Sequence, residues 1–387
     1  MTIARGGHTL PGMRSPVPKR VAIAIALAAL LAACGSPRKS PPGIPPLTWT
    51  WVPVAGSVCS DGSETGIGVE TPATPGGDVL VFLMGGGACF DTLSCFVAGL
   101  ATPGPYGSAQ LQADITRLEP GSIFDRSVAT NPYKDFTFVF VPYCTGDVHT
   151  GDKVQRAGSG AFVGAPRDWY FKGRVNLAAD FAWLAANLEA PSRIVVAGSS
   201  AGGFGSLHAF DVARSTWPAA KGYLVDDSGP PLQEIPAVTV AAWELAWDLG
   251  GALSSLCGPL DCLTDLSQVF PALKKKYPSD RLALLSSTQD EVIRGFFTDV
   301  TKISTTYPYV TPMDQTTFET GLRNLASSIE DATPPGETHA FLVTGTTHTM
   351  LGAPASFTSQ ETSLWTWLGQ QVDDDAAWAA AIPPPPP

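Results

Sequence analysis

The stretch Ile194-Val195-Val196-Ala197-Gly198-Ser199-Ser200-Ala201-Gly202-Gly203 constrains this chain more than any other. A β-rich apolar run leads into G-x-S-x-G (Gly198, Ser200, Gly202), and a helical pattern from Gly202 to Thr216 follows at once. Glycines flanking the serine allow a sharp strand-to-helix turn that a Cβ would obstruct, so the Ser200 hydroxyl stands above a sheet. The following helix aims its N-terminal amides at the same point, which favours a developing negative charge. A glycine-rich turn that merely packs helix on strand is the alternative reading, and it predicts no partners for the serine.

Other short apolar runs repeat the strand–turn–helix pattern. They are Val79 to Met84, Phe136 to Pro142, Gly222 to Val225, Leu282 to Ser286 and Ala340 to Thr344, besides Arg193 to Ala197. Helical patterns fit Val175 to Leu188, Val292 to Thr305 and Thr316 to Ser328. Strands alternating with helices predict an α/β fold, α/β-hydrolase-like, with a mostly parallel central sheet and helices on both faces. In such sheets the chemistry lies beyond the carboxyl ends of the strands.

A serine hydroxyl needs a base, and five histidines are available. His8 belongs to a segment read below as a removed signal. His208 lies eight residues along the helix after Ser200, about 12 Å away at the helical rise. His149 precedes the serine, against the order Ser, acid, His of this fold. His339 opens its apolar run and so falls at the wrong end of a strand. His348, in the loop after that run, is the expected base. The acid should follow an intermediate strand: Asp290 does, with Asp226 and Asp227 as rivals and a helix N-cap as its bland role. Gly85-Gly86-Gly87-Ala88 follows a strand and suits an oxyanion hole, with the amides of Gly86, Gly87 and Ala201 as donors. No P-loop lysine follows these glycines, and no cofactor is expected.

The first 33 residues read as an export signal: Arg14, Lys19 and Arg20 precede the apolar run Val21 to Ala33, too short to span a bilayer. Leu31-Ala32-Ala33-Cys34 resembles a bacterial lipobox, which implies lipidation of Cys34, and the following Gly35 implies the outer membrane. A conventional cleaved signal is the alternative. Residues 34–47 form a Pro-rich tether, 48–380 a single esterase domain, and 381–387 a disordered Pro-rich tail. Six further cysteines in an oxidising compartment predict disulfides: Cys89 with Cys95 and Cys257 with Cys262 are close in sequence, leaving Cys59 with Cys144. No C-x-x-C and no histidine at ligand spacing supports a metal site instead.

Taken together, these motifs resemble the pectin acetylesterase family, which includes plant pectin acetylesterases and animal Notum carboxylesterases. The resemblance rests on Cys59-Ser60-Asp61-Gly62-Ser63, Met84 to Phe90, Val141 to Asp147, Phe171-Lys172-Gly173, Gly198 to Gly203, Asp226 to Gly229, Asp290 and His348. It implies a triad of Ser200, Asp290 and His348, oxyanion donors at Gly86, Gly87 and Ala201, and the disulfides Cys59–Cys144 and Cys89–Cys95. Ala88 stands where relatives carry an aromatic residue, which implies a wider or differently shaped mouth.

Charge narrows the partners. Without the four basic residues of the signal the chain has 20 basic and 35 acidic residues, a net of −15. Such a balance repels nucleic acid, and it also repels polygalacturonate. The resemblance implies a short acyl ester, acetyl foremost, on an acylated glycan, and the charge speaks against pectin itself as that glycan. A lipid, polyester or longer-acyl esterase is one rival, and a surface binding protein with a degenerate site is the other. The segment Gly229 to Lys276, rich in Trp and Leu, reads as core, with a lid or an acyl-pocket wall as alternatives.

Overall fold

The computed structural model describes residues 41, 43–74, 77–258, 261–306, 309–331 and 337–385. The expected export signal and Cys34, the residue expected to carry lipid, lie outside the described residues. Among the described residues, the strands of three or more residues in chain order are β1 (Thr50–Val58), β2 (Glu64–Glu70), β3 (Asp78–Leu83), β4 (Thr137–Val141), β5 (Lys153–Gln155), β6 (Trp169–Phe171), β7 (Arg193–Ser199), β8 (Lys221–Asp227), β9 (Arg281–Ser287) and β10 (Thr338–Val343). Eight of them form one sheet in the order β1-β2-β4-β3-β7-β8-β9-β10, while β5 and β6 pair separately. From β4 to β10 all neighbours are parallel; β1 and β2 add an antiparallel edge.

The period-2 geometry of a strand explains the layers. Val79, Val81 and Leu83 of β3, with Val196 of β7 and Leu284 of β9, face one core. That core also holds Leu177 and Phe181 of the helix Gly173–Asn187, Leu207 and Phe210 of Ala201–Thr216, and Leu322 of Gln315–Glu330. The alternate residues Leu80, Phe82, Val195 and Leu285 face a second core. There they meet Leu111 and Ile115 of the helix Ser108–Leu118 and Leu368 of Leu364–Val372. Both sheet faces are thus covered by helices, the expected α/β architecture.

Chain order reverses at β3. The chain passes from β3 to β4 on one side and returns to β7 on the other. A crevice opens at such a switch point, beyond the carboxyl ends of its strands. Here those ends are Leu83, which runs into Met84-Gly85-Gly86-Gly87, and Ser199, which runs into Ser200.

Three sequence expectations need correction. The helix expected over 292–305 is only the turn Ile293–Phe296, followed by a 3-10 turn at Val300–Lys302. Asp299 breaks the run, because its side chain accepts from Thr301 N and starts a new turn. The domain begins before residue 48: Leu47 N donates to Thr71 O (2.9 Å), and Ile44 is buried. The C-terminal segment is engaged from 381, since Ala381 exchanges backbone bonds with Ala340 and Leu342 beside β10. Arg323 then donates to the carbonyls of Pro383 and Pro384. Proline lacks an N–H but keeps a good acceptor, so a Pro run can still dock through its carbonyls. The described disulfides are Cys59–Cys144, Cys89–Cys95 and Cys257–Cys262, as the spacing predicts.

Candidate active site

Ser200 sits at the turn between β7 and the helix Ala201–Thr216, with φ 61° and ψ −123°. A non-glycine residue there is strained and persists only where its surroundings fix it. Two backbone bonds do so: Ser200 N donates to Asp227 O (2.7 Å), and Phe204 N donates to Ser200 O (3.1 Å). The helix approaches β3 so closely that a Cβ on Gly202 would lie 2.0 Å from Leu83 O. That contact is the physical reason for glycine two residues after the serine.

His348 lies in the loop after β10, and Asp290 in the loop after β9. Backbone bonds zip the two loops together: Thr288 N to Val343 O, Gln289 N to Gly345 O and Glu291 N to Thr346 O. The result places His348 Nδ1 2.8 and 3.0 Å from the two carboxylate oxygens of Asp290. Asp290 is fully buried and its Oδ1 also accepts from Val292 N and Ile293 N, each at 3.0 Å. It therefore caps the turn Ile293–Phe296 and holds the imidazole at the same time. With Nδ1 engaged, Nε2 is the nitrogen left for proton transfer.

Asp227 meets the loop rather than the ring. Its buried carboxylate accepts from Ser199 Oγ (2.7 Å), Met350 N (2.9 Å to each oxygen) and Leu351 N (3.0 Å). It thus ties the residue before Ser200 to the segment just after His348, where Thr349 has φ 64°. Burial, the largest influence, pushes the Asp227 carboxyl above its usual range against these donors. Its neighbour Asp226 accepts from Gly229 N (2.8 Å), and burial pushes it up further.

The glycine loop is held from beneath. Tyr143 Oη donates to Gly87 O and accepts from Val148 N, both at 2.8 Å. His149 Nε2 lies 2.9 Å from Met84 O; a carbonyl only accepts, so this nitrogen carries the proton. Burial pushes the His149 pKa down to about 4, which keeps the ring neutral. These two supports were not singled out from the sequence, because both act through main-chain atoms. Gly87 has φ 78°, and Leu100 O would stand 2.0 Å from a Cβ there. Among the described residues, no acceptor takes the N–H of Gly86, Gly87 or Ala201. Three backbone donors thus stand unpaired around Ser200.

Two cavities meet at the serine. The larger, about 690 Å³, is lined by Ser200, His348 and the glycine loop, with Phe82, Leu118, Phe124 and Leu351 among its apolar walls. Arg117 is the one charged side chain among the described lining residues, and no carboxylate lines the cavity. The smaller is wholly apolar and lies on the Ala201 side, walled by Ala88, Phe204, Trp243, Ile293 and Phe297. It has about 20 Å³ of free space, room for about one water-sized group. Trp243 stacks on Trp247 (5.3 Å, 12°), so the segment after Gly229 supplies both core and cavity wall.

Of the remaining histidines, His339 is buried on β10 with Nδ1 2.7 Å from Glu330, and His208 is buried in the helix after Ser200. Neither lines a cavity with Ser200. Among the described residues no group of His, Cys, Asp or Glu is placed to hold a metal ion.

Comparison with known proteins matches residues 46–240 to the family described as Pectinacetylesterase. The fold is similar to that of the Wnt deacylase Notum from Drosophila, with a TM-score of 0.58 and 18% identity. That match covers 85% of this chain and 94% of the other. None of the curated proteins matches the chain.

Proposed function

Since this chain belongs to the pectinacetylesterase family and is a carboxylic ester hydrolase, we propose that it removes short acyl groups, acetyl foremost, from a glycan through an acyl-enzyme on Ser200. Ser200 Oγ attacks the ester carbonyl while His348 Nε2 takes its proton, and Asp290 orients the imidazolium through Nδ1. The unpaired N–H groups of Gly86, Gly87 and Ala201 stabilise the tetrahedral oxyanion, aided by the helix N-terminus. The tetrahedral intermediate collapses, and the proton from His348 passes to the departing alkoxide. Water then attacks the acyl-enzyme, His348 takes its proton, and the carboxylic acid leaves.

One observation carries the preference for short acyl groups: the two cavities differ in what they can reach. His348 must protonate the leaving oxygen, and it lines the large cavity but not the small one. The alcohol therefore departs into the large space, and the acyl group occupies the small apolar recess. The carboxylate-free lining eases the repulsion that the net charge would impose on an acidic glycan, although Arg117 at its edge is already paired with Asp114 at 3.0 Å. Deacylation by the fold neighbour, named as a Wnt deacylase, is in keeping with acyl transfer. A series of p-nitrophenyl esters tests this reading. Acetate should exceed octanoate in kcat/KM, and a preference for octanoate would overturn it.

The apolar walls of the large cavity favour a second reading of the alcohol, an apolar alcohol rather than a sugar. Deacetylation of acetylated pectin or xylan, set against a long-chain alkyl acetate, separates the two. The chain is further proposed to be exported and held at the outer membrane by lipid on Cys34. Cys34→Ala should release it into the soluble fraction with full activity, and membrane retention would refute the anchor.

A further inference from the structure

Resting on that acyl-enzyme reading, we propose that Phe296 is the specificity-determining partition that limits the acyl group to about acetyl length. Three residues line both cavities: Gly87, Ser200 and Phe296. Two of these are fixed by chemistry, as nucleophile and as oxyanion loop. Phe296 is thus the one wall between the cavities whose side chain is free to vary.

Its placement is tight. Phe296 Cζ lies 3.0 Å from where a Cβ on Gly87 would stand, so the ring tip is close to the oxyanion loop at a position that only glycine leaves open. Its backbone is set by the turn Ile293–Phe296, whose first amides are capped by Asp290. The carboxylate that orients His348 therefore also anchors the element that walls off the acyl recess. Behind Phe296 the recess is closed by Trp243, Phe204 and Phe297, all large and buried. Because Phe296 borders both cavities, its ring stands between the recess and the open space into which an acyl chain longer than acetate would extend.

Removing the ring joins the recess to the large cavity without touching the nucleophile, the base or the donors. Each methylene then buried against the opened wall contributes about fourfold to binding of the transition state. For butyrate, two methylenes beyond acetate, the ratio of kcat/KM to that for acetate should rise by about 15-fold in Phe296→Ala. Phe296→Leu, which keeps an apolar filler and the fold, should shift the ratio in the same direction by less.

The experiment measures kcat/KM for p-nitrophenyl acetate, butyrate and octanoate on wild type, Phe296→Ala, Phe296→Leu and Ser200→Ala, with circular dichroism and thermal melts on each. A graded rise in the butyrate-to-acetate ratio from wild type through Leu to Ala supports the partition. Folded, active Phe296 variants with the wild-type ratio overturn it and leave the acyl-enzyme reading standing. Full hydrolysis by Ser200→Ala overturns that reading and the partition with it.

Discussion

Asp227→Asn separates positioning of the base from stability of the fold. In the native site the carboxylate receives four donors: Ser199 Oγ, the amides of Met350 and Leu351, and, more distantly, Ser228 Oγ at 3.5 Å. A carboxylate has about four lone-pair sites, whereas an asparagine amide offers one oxygen and turns two N–H groups toward the rest. At least one buried backbone N–H then faces a donor, at a cost of about 1–3 kcal/mol. The affected amides are two and three residues beyond His348, in a segment already turned by the positive φ of Thr349. If that cost appears as displacement of the imidazole, kcat falls by about 5- to 150-fold. KM for p-nitrophenyl acetate should stay within about twofold, because neither cavity is lined by Asp227. Global stability should change less than this. Burial already raises the Asp227 pKa, so removing the charge also relieves a desolvation cost that offsets the lost acceptor. Steady-state kinetics and a thermal melt decide the matter. An unchanged kcat, or a loss of activity explained entirely by unfolding, would refute a positioning role.

Two further perturbations reach the same site and the same fold from other directions. Tyr143→Phe deletes the donor to Gly87 O and orphans Val148 N, so kcat should fall about tenfold with KM little changed; steady-state kinetics check this. Burial pushes the carboxyl of Asp180, which accepts from Ser57, up to about 8. Because its folded pKa exceeds the unfolded value, the native state holds the extra proton between about pH 4 and 8, and stability falls as pH rises through that window. Asp180→Asn should remove a slope of about 1.4 kcal/mol per pH unit from urea melts run between pH 5 and 7.5. An unaltered slope in the variant would show that Asp180 is ionised in the native protein at pH 5.

The parallel half of the sheet was legible because its strands are buried on both faces and read as unbroken apolar runs, such as Val79 to Met84. The antiparallel edge was not. β1 carries Pro53 and Gly56 and is largely half-exposed, and β2 is interrupted by Gly66 and Gly68, so neither shows a clean period. The misread helix over 292–305 has apolar residues at plausible spacing, but Gly295 and Asp299 favour turns that composition alone does not rank. In the site, the proposed triad of Ser200, Asp290 and His348 is read from chain order and strand ends, which follow a rule about side-chain chemistry. Asp227, Tyr143 and His149 act on backbone amides and carbonyls, and nothing in a linear pattern marks which amides they will meet. Phe296 was hidden for another reason: its neighbour Gly87 lies more than two hundred residues away in the chain.

The central claim is that Ser200 carries the acyl group, and trapping that intermediate tests it most directly. Protein quenched in acid during turnover of p-nitrophenyl acetate, then digested and mapped by mass spectrometry, should show one acetyl group on Ser200. His348→Ala should show no accumulation, since the serine then lacks its base. An acetyl group on another residue, or turnover with Ser200 unmodified and replaceable by alanine, would contradict the account.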